Sequence, residues 1–456
     1  MANGQSSSRG FLNALGLHRP ELRAWAMYDW AVSSMQTVIS TAVFPIFFVQ
    51  VAAVGRTEAQ GTEALGYANT AAAVLIAVLA PILGAIADFK AAKKRFLVGF
   101  MLLGVTASAC MFFIAHGQLL FASILFILSM AGASGSMTFY ESLLPHIATE
   151  DEMDRVSTAG YALGYIGGGL LLALNVVWIT NPALVGLPSG ENLTNAQATL
   201  PTRLAFVSVG IWWLLFSIPV LRRVPEPPRT IEADETSTAN PLRVAFSRLG
   251  ETLRELRSYK QAALAMLAFT IYNDGIQTIV KMAAAFGNEL HIPRKDLILA
   301  ILLVQFIGIP FAFAFGALAG KLGAKGSIFL GLVVYTGICI YAYGITTTKE
   351  FYGLACMVGL VQGGTQALSR SLFANMIPKH KSGEFFGFYS VFEKFGGILG
   401  PLVFAIAVGQ GGSSRVAILW VIAFFVVGGA LLAFVNVPEG ERAARAADAN
   451  AKAIPA

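Results

Sequence analysis

AAAVLIAVLAPILGAIADFKAAKKR, residues 71–95, decides what kind of chain this is. The uncharged run begins at Leu65 and continues to Ala87, long enough for the roughly 20 mostly apolar residues a helix needs to cross a bilayer. Asp88 follows, then Lys90, Lys93, Lys94 and Arg95, the basic cluster expected where a short loop stays on the cytoplasmic side. The run is too long and too continuously apolar for a barrel strand. In lipid its backbone groups must bond to one another, so it is expected to be a helix.

The pattern recurs along all 456 residues, of which 56% are hydrophobic and 13% charged, against about 25% charged in soluble domains. Twelve spans are expected: 24–53, 65–87, 96–115, 119–144, 156–180, 204–221, 261–286, 297–319, 327–345, 351–377, 385–408 and 416–437. With the N-terminus cytoplasmic, 23 Lys and Arg fall inside and 6 outside, while Lys281, Arg370 and Lys394 lie within spans. That bias places both termini in the cytoplasm and accounts for the net charge of +6, so the lipid bilayer is the expected acidic partner and nucleic acid is excluded. The polar, Gly/Ser-rich start, Met1 to Pro20, does not read as a cleaved signal peptide.

The longest hydrophilic stretch, 222–260, divides the chain between a cytoplasmic segment 1–23 with a first six-helix bundle, 24–221, and a second bundle, 261–437, with a tail, 438–456. After the stiff Pro225-Glu226-Pro227-Pro228, Asn240-Pro241 starts a helix. Its Leu242, Phe246, Leu249, Leu253 and Leu256 form an apolar face for the cytoplasmic interface. The halves repeat each other: Gly84-Ala-Ile-Ala-Asp88 matches Gly316-Ala-Leu-Ala-Gly320. Glu141-Ser142-Leu143 matches Arg370-Ser371-Leu372, and Gly167-Gly168 matches Gly396-Gly397, at offsets of about 230 residues. The fold class is thus an all-α membrane protein of twelve transmembrane helices in two pseudo-symmetric six-helix bundles, with a solute site between the repeats.

Charges inside spans are costly, about 2.5 to 3.5 kcal/mol each on insertion scales, and mark polar pathways or buried pairs. On the first span Asp29, Ser33, Gln36 and Ser40 recur at helical spacing and share a face. Asn273, Asp274, Gln277 and Lys281 repeat the device on the seventh, where Asp274 is about 20 Å into its helix and is the leading solute-binding or titrating group. Arg370 and Glu393 are on adjacent spans and able to pair; Glu141 is a further candidate, and Lys394 can offer an ammonium to a carboxylate solute. Gly84, Asp88, Lys93, Lys94 and Arg95, with Gly316 and Gly320 in the second copy, form the expected gate loops, Asp88 capping a neighbouring helix or pairing with a base. Tyr161, Tyr165 and the Gly167-Gly168-Gly169 run read as packing, and Asp154 as the cap of the fifth span.

Neither Cys110, Cys339 and Cys356 nor the five histidines make a metal or disulfide pattern, and Gly316 to Leu322 lacks the spacing and hydroxyl of a phosphate loop. No enzyme, metal or cofactor is expected. The gate loop resembles the signature of the major facilitator superfamily, with Phe89 and Ala91 where a basic residue and a glycine are usual. Trp25-Ala-Met-Tyr28-Asp29-Trp30-Ala31, Tyr272-Asn273-Asp274-Gly275-Ile276-Gln277-Thr278, Arg370-Ser371-Leu372 with Ile377-Pro378, and Glu384-Phe385-Phe386-Gly387-Phe388-Tyr389 resemble the autophagy-related vacuolar amino-acid effluxers and their bacterial relatives within that superfamily. Val32 departs from the asparagine common there. The resemblance implies the superfamily fold, alternating access and export of amino acids or similar solutes. The expectation is a monomeric secondary transporter of the bacterial inner membrane, moving a small-molecule solute with protons as the candidate coupling ion. The alternatives are a non-transporting receptor or scaffold and a translocase of lipid precursors.

Overall fold

A computed structural model describes residues 10, 12–190, 192–231, 259–395, 400, 403, 414–450 and 452–453. The chain is helical: α1 Pro20–Ser34, α2 Glu58–Lys90, α3 Lys93–Cys110, α4 Leu119–Ile147, α5 Glu150–Thr180, α6 Asn195–Arg223, α7 Lys260–Glu289, α8 Arg294–Gly344, α9 Thr348–Asn375, α10 Ser382–Phe395, α11 Ser414–Ala433 and α12 Val437–Asn450. Four helices begin with the same local device. Thr57 with Gln60, Thr149 with Glu152, Thr194 with Gln197 and Thr347 with Glu350 form capping boxes at the starts of α2, α5, α6 and α9, each meeting backbone N–H groups that the first turn leaves open. Asp154 therefore does not cap α5; its carboxylate accepts a hydrogen bond from Ser371 on α9.

Eight helices are long and apolar enough to cross a membrane, or nine if a bent pair counts as one, among the described residues. That pair is the first span, where α1 passes into π-helix at Met35–Ala42 and bends by 41° before Phe44–Ala52. At 51 residues α8 would be about 76 Å long, more than twice a bilayer core of about 30 Å. Gly323 (φ 72°, ψ 161°) breaks it between the eighth and ninth expected spans, a left-handed turn that glycine adopts without a Cβ clash. Gln362, Gln366 and Arg370 make α9 polar for a span, and residues 396–399, with most of 401–413, fall outside the described set. So do the interfacial helix expected over 240–257 and Gly396-Gly397.

Before residue 224, α1 packs on α5 and α6, α3 on α4 and α6, and α2 on α4. After residue 259, α7 packs on α11 and α8 on α9 and α11. Across the divide, α2 and α4 meet α10 while α5 meets α8 and α9. The linker starts by folding back on the α2–α3 turn: Glu226 accepts from the Lys94 N–H (2.9 Å), and Arg229 donates to the Phe89 carbonyl (2.8 Å) with its guanidinium 4.7 Å from the Phe89 ring centre. Burial raises the Glu226 carboxyl above its ordinary pKa, an effect the Lys93 and Lys94 N–H groups and ammoniums offset in part. Thr230–Ile231 pairs antiparallel with Lys452–Ala453, joining linker and tail. Helix α12 closes the same end of the molecule, with Asp448 accepting from the Lys379 N–H and lying 3.0 Å from His380, and Arg445 paired to Glu150.

Candidate functional site

Arg370, on α9, is completely buried. Its Nη1 lies 3.4 Å from Asp29 Oδ2 on α1 and 3.7 Å from Glu141 Oε1 on α4, while Nε and Nη2 donate to the hydroxyl and carbonyl of Ser157 on α5, each at 2.9 Å. Tyr140 donates to the same Asp29 oxygen (2.9 Å), and the guanidinium is 4.7 Å from the Tyr161 ring centre and 5.0 Å from that of Trp25. A buried charge survives only when its hydrogen-bonding capacity is met and its opposite is near. Here one half of the chain supplies the cation and the other half the anions. Glu393 is half-buried on α10.

Helix α5 can approach α1 this closely because its facing residues lack side chains. A Cβ added at Gly160 would fall 2.7 Å from Asp29 Oδ2, at Gly164 2.6 Å from Ser33 Oγ, and at Gly167 2.3 Å from the Trp30 carbonyl. Tyr165 projects the other way and packs on Gly308 and Gly363. The glycine-rich run is thus a packing surface, and the expected polar stripe on α1 is split. Asp29, buried, and Ser33, half-buried, face the glycines of α5, whereas Gln36 and Ser40 line a cavity. The π-helical turns from Met35 onward, with Val43 N–H bonding to the Val38 carbonyl five residues back, change the angular spacing that would have kept all four on one face.

That cavity, about 630 Å³, lies between the halves at the end opposite the α2–α3 turn. Its polar lining includes Gln36, Asn69, Gln277, Lys281, Gln305 and Gln362, and apolar residues such as Phe286, Ile301, Val304 and Phe351 complete the wall. Asn69, Thr41 and Lys281 are exposed. Gln305 donates to Thr37 (3.1 Å) and so ties α8 to α1. Asp274 is not among the described lining residues: it is 1% exposed, and its Oδ2 accepts the Gly400 N–H at 2.9 Å. Asn273 is buried and accepts from Gln366 (3.4 Å). Of the seventh-span group, Gln277 and Lys281 reach the cavity and Asn273 and Asp274 serve helix contacts. The Lys394 side chain lies outside the described residues.

The opposite end is shut. Asp88 lies 2.8 Å from Lys93 Nζ and accepts the Glu384 N–H (2.9 Å) at the start of α10, so it both pairs with a base and caps a helix of the other half. Lys93 also donates to Ser382 (2.6 Å), which in turn donates to the Ser142 carbonyl (3.0 Å). Gly84 and Gly316 occupy matching crossings: a Cβ would stand 2.2 Å from the Gly383 carbonyl oxygen at the first and 2.3 Å from Thr158 Oγ1 at the second. Gly320 faces Arg155, its Cβ position 3.7 Å from Nη2. Lys94 plays another part, donating to the Leu221 and Val224 carbonyls at the C-terminus of α6, and Arg95 is exposed. Ala91 takes the left-handed conformation (φ 48°) at the end of α2, the place for which a glycine is suited. Phe89, the other departure from the signature, is the platform for Arg229.

Sequence reasoning missed Gln305, Gln362 and Ser157. The two glutamines carried a signal, an amide in an otherwise apolar span; Ser157 carried none.

A family model described as "Vacuole effluxer Atg22 like" matches residues 57–445. An "Uncharacterized MFS-type transporter YxiO" of Bacillus subtilis (strain 168) is 37% identical over 413 residues, covering 90% of this chain and 94% of that protein. Autophagy-related protein 22 of Yarrowia lipolytica is 29% identical over 317 residues, 64% of this chain and 51% of that protein, so the chain spans about half the length of this fungal relative. Among solved structures, a double Trp mutant of XylE superposes with a TM-score of 0.68 at 15% identity, covering 93% of this chain and 98% of that one. FucP in its outward conformation gives 0.63 at 13% identity, covering 92% and 100%.

Proposed function

Because the chain belongs to the Atg22-like effluxer family, whose fold is that of the major facilitator transporters, and is a multi-pass membrane transporter rather than an enzyme, we propose that it is a secondary transporter exporting a small polar solute by alternating access. Amino acids are the first solute class to test and protons the first coupling ion. In this reading residues 24–221 and 261–437 are the two bundles, both termini are cytoplasmic, and the monomer works in a bacterial inner membrane. The Asp88 end then faces the cytoplasm, and the closed contacts there with the cavity at the other end correspond to an outward-facing state.

The observation that carries the proposal is the Arg370 cluster, in which the halves share one set of buried charges directly across their divide. Such a contact is costly to leave half-made, so it favours one arrangement of the bundles until something competes for its members. A proton on Asp29 or Glu141 is one competitor, since it takes away one of the two negative charges that hold Arg370. A solute moves the equilibrium only by binding the two arrangements unequally. The test is counterflow of labelled amino acids in liposomes holding the purified protein. Saturable exchange supports the proposal; solute binding without flux, or movement of labelled lipid instead, would replace it with a receptor or a lipid translocase.

A further inference from the structure

Resting on the transport reading, in which the Arg370 cluster biases the two bundles, we infer that Ser157 is the positioning residue of that cluster: it aims the guanidinium at Asp29 and Glu141. The distances separate aim from attraction. Nη1 is 3.4 Å from Asp29 and 3.7 Å from Glu141, longer than the roughly 2.7 to 3.2 Å of a well-formed N–H···O bond, so the carboxylates attract the guanidinium without fixing its orientation. Nε and Nη2 each lie 2.9 Å from an acceptor, and both acceptors belong to Ser157. A guanidinium is planar and rigid, so two nitrogens held by one residue determine where the third points.

The serine is itself held in place. Its hydroxyl donates to the Ala367 carbonyl on α9 (2.7 Å), which commits its one proton and leaves its lone pairs to receive Nε. Ala367 is one turn before Arg370, so Ser157 bonds both the backbone and the side chain of a single helix from the other half. Tyr161, one turn further along α5, and Trp25 on α1 lie against the same guanidinium, their ring centres 4.7 Å and 5.0 Å away. A ring face attracts the cation without selecting which nitrogen points where. That selection falls to Ser157.

The experiment is a double-mutant cycle between Ser157 and Asp29, which both bond to Arg370. The full-length protein in detergent, with Cys110, Cys339 and Cys356 replaced, carries Ser390→Cys at the closed end, where the serine is buried, and its rate of maleimide labelling reads opening. Asp29→Asn should accelerate labelling by about tenfold in this parent but by about twofold or less when combined with Ser157→Ala. Ser157→Thr, which keeps the hydroxyl, should return the parent factor. A serine that only packs α5 against α9 would leave the factor for Asp29→Asn the same with or without its hydroxyl. Arg370→Lys makes the same test without altering Ser157: it keeps the charge, has no rigid fork for the serine to aim, and should cut the factor to about twofold as well. Thermal unfolding midpoints report whether each variant is folded. An undiminished factor in Ser157→Ala or Arg370→Lys, a factor in Ser157→Thr no larger than in Ser157→Ala, or no acceleration by Asp29→Asn in the parent would overturn the inference. Labelling needs no solute flux, so the expected cycle without counterflow in liposomes would remove the transport reading alone, and counterflow with additive labelling rates would remove this inference alone.

Discussion

Arg370 Nη1 lies 3.7 Å from Glu141 Oε1, and the two residues occupy matching places in the two halves, each followed by Ser-Leu. Where two repeats are related by an axis through the middle of the molecule, equivalent positions that face the axis face each other. A carboxylate in one copy and a guanidinium in the other turn that meeting into an attraction. Asp29 adds a second anion from α1, 341 positions away in sequence.

Removing the cation leaves two buried carboxylates facing each other. Arg370→Met should therefore lower stability by about 3 to 5 kcal/mol. The triple variant Asp29→Asn, Glu141→Gln, Arg370→Met should recover most of that loss, because neutral groups of similar shape need no counter-charge. Denaturant unfolding in detergent compares them; a single variant as stable as the parent would show that the cluster holds no strong interaction.

Gly84 and Asp88 hold the closed end by different means, one by allowing backbone contact with Gly383 and the other by its charge. Gly84→Ala and Asp88→Asn should both shift the population toward a state open at that end. Maleimide labelling of Ser390→Cys, 3% exposed here, should accelerate about tenfold for a shift of about 1.4 kcal/mol, while labelling of Asn69→Cys in the cavity should slow. Unchanged rates at both positions would show that the contact is no latch.

Ala91 holds a left-handed backbone (φ 48°) at the C-terminus of α2, which costs a residue with a Cβ about 1 to 2 kcal/mol. Ala91→Gly removes that strain and adds some unfolded-state entropy, so a net gain of about 0.5 to 1 kcal/mol is expected. Loss of stability in the thermal unfolding of this variant would mean that the alanine methyl makes a contact worth more than the strain.

Asp274→Asn retains an oxygen for the Gly400 N–H and should fold as the parent does, whereas Asp274→Ala should lose about 1 to 3 kcal/mol by leaving that N–H without its acceptor. If Asp274 carries the coupling proton, the Asn variant abolishes pH-dependent flux. Parent-like pH dependence in liposomes holding it would take Asp274 out of coupling.

Much of this was legible in the chain because it is local. The long apolar helices and the Asp88 loop follow from hydropathy and short motifs, and Asp88 does both things its position suggested, pairing with Lys93 and capping α10. What was not legible depends on geometry between distant segments. The pairing of Asp29 with Arg370 is invisible until α5 is known to approach α1 along its glycines. The split of the α1 stripe follows from a π-helical stretch that an ideal helical spacing does not anticipate. Asp274, deep in its helix as its position implied, bonds to the backbone at Gly400, a partner 126 residues on.

Thr138 on α4 and Ser390 on α10 place their hydroxyl oxygens 2.7 Å apart across the two halves, so the side chains at these positions meet, the first requirement for a disulfide between cysteines placed there. In a background with Cys110, Cys339 and Cys356 replaced, the pair Thr138→Cys and Ser390→Cys should form a disulfide that fixes this end shut. If the halves must part here in each cycle, solute counterflow in liposomes is lost on oxidation and returns on reduction with dithiothreitol. Counterflow at the unlinked rate in fully cross-linked protein would contradict alternating access about this interface.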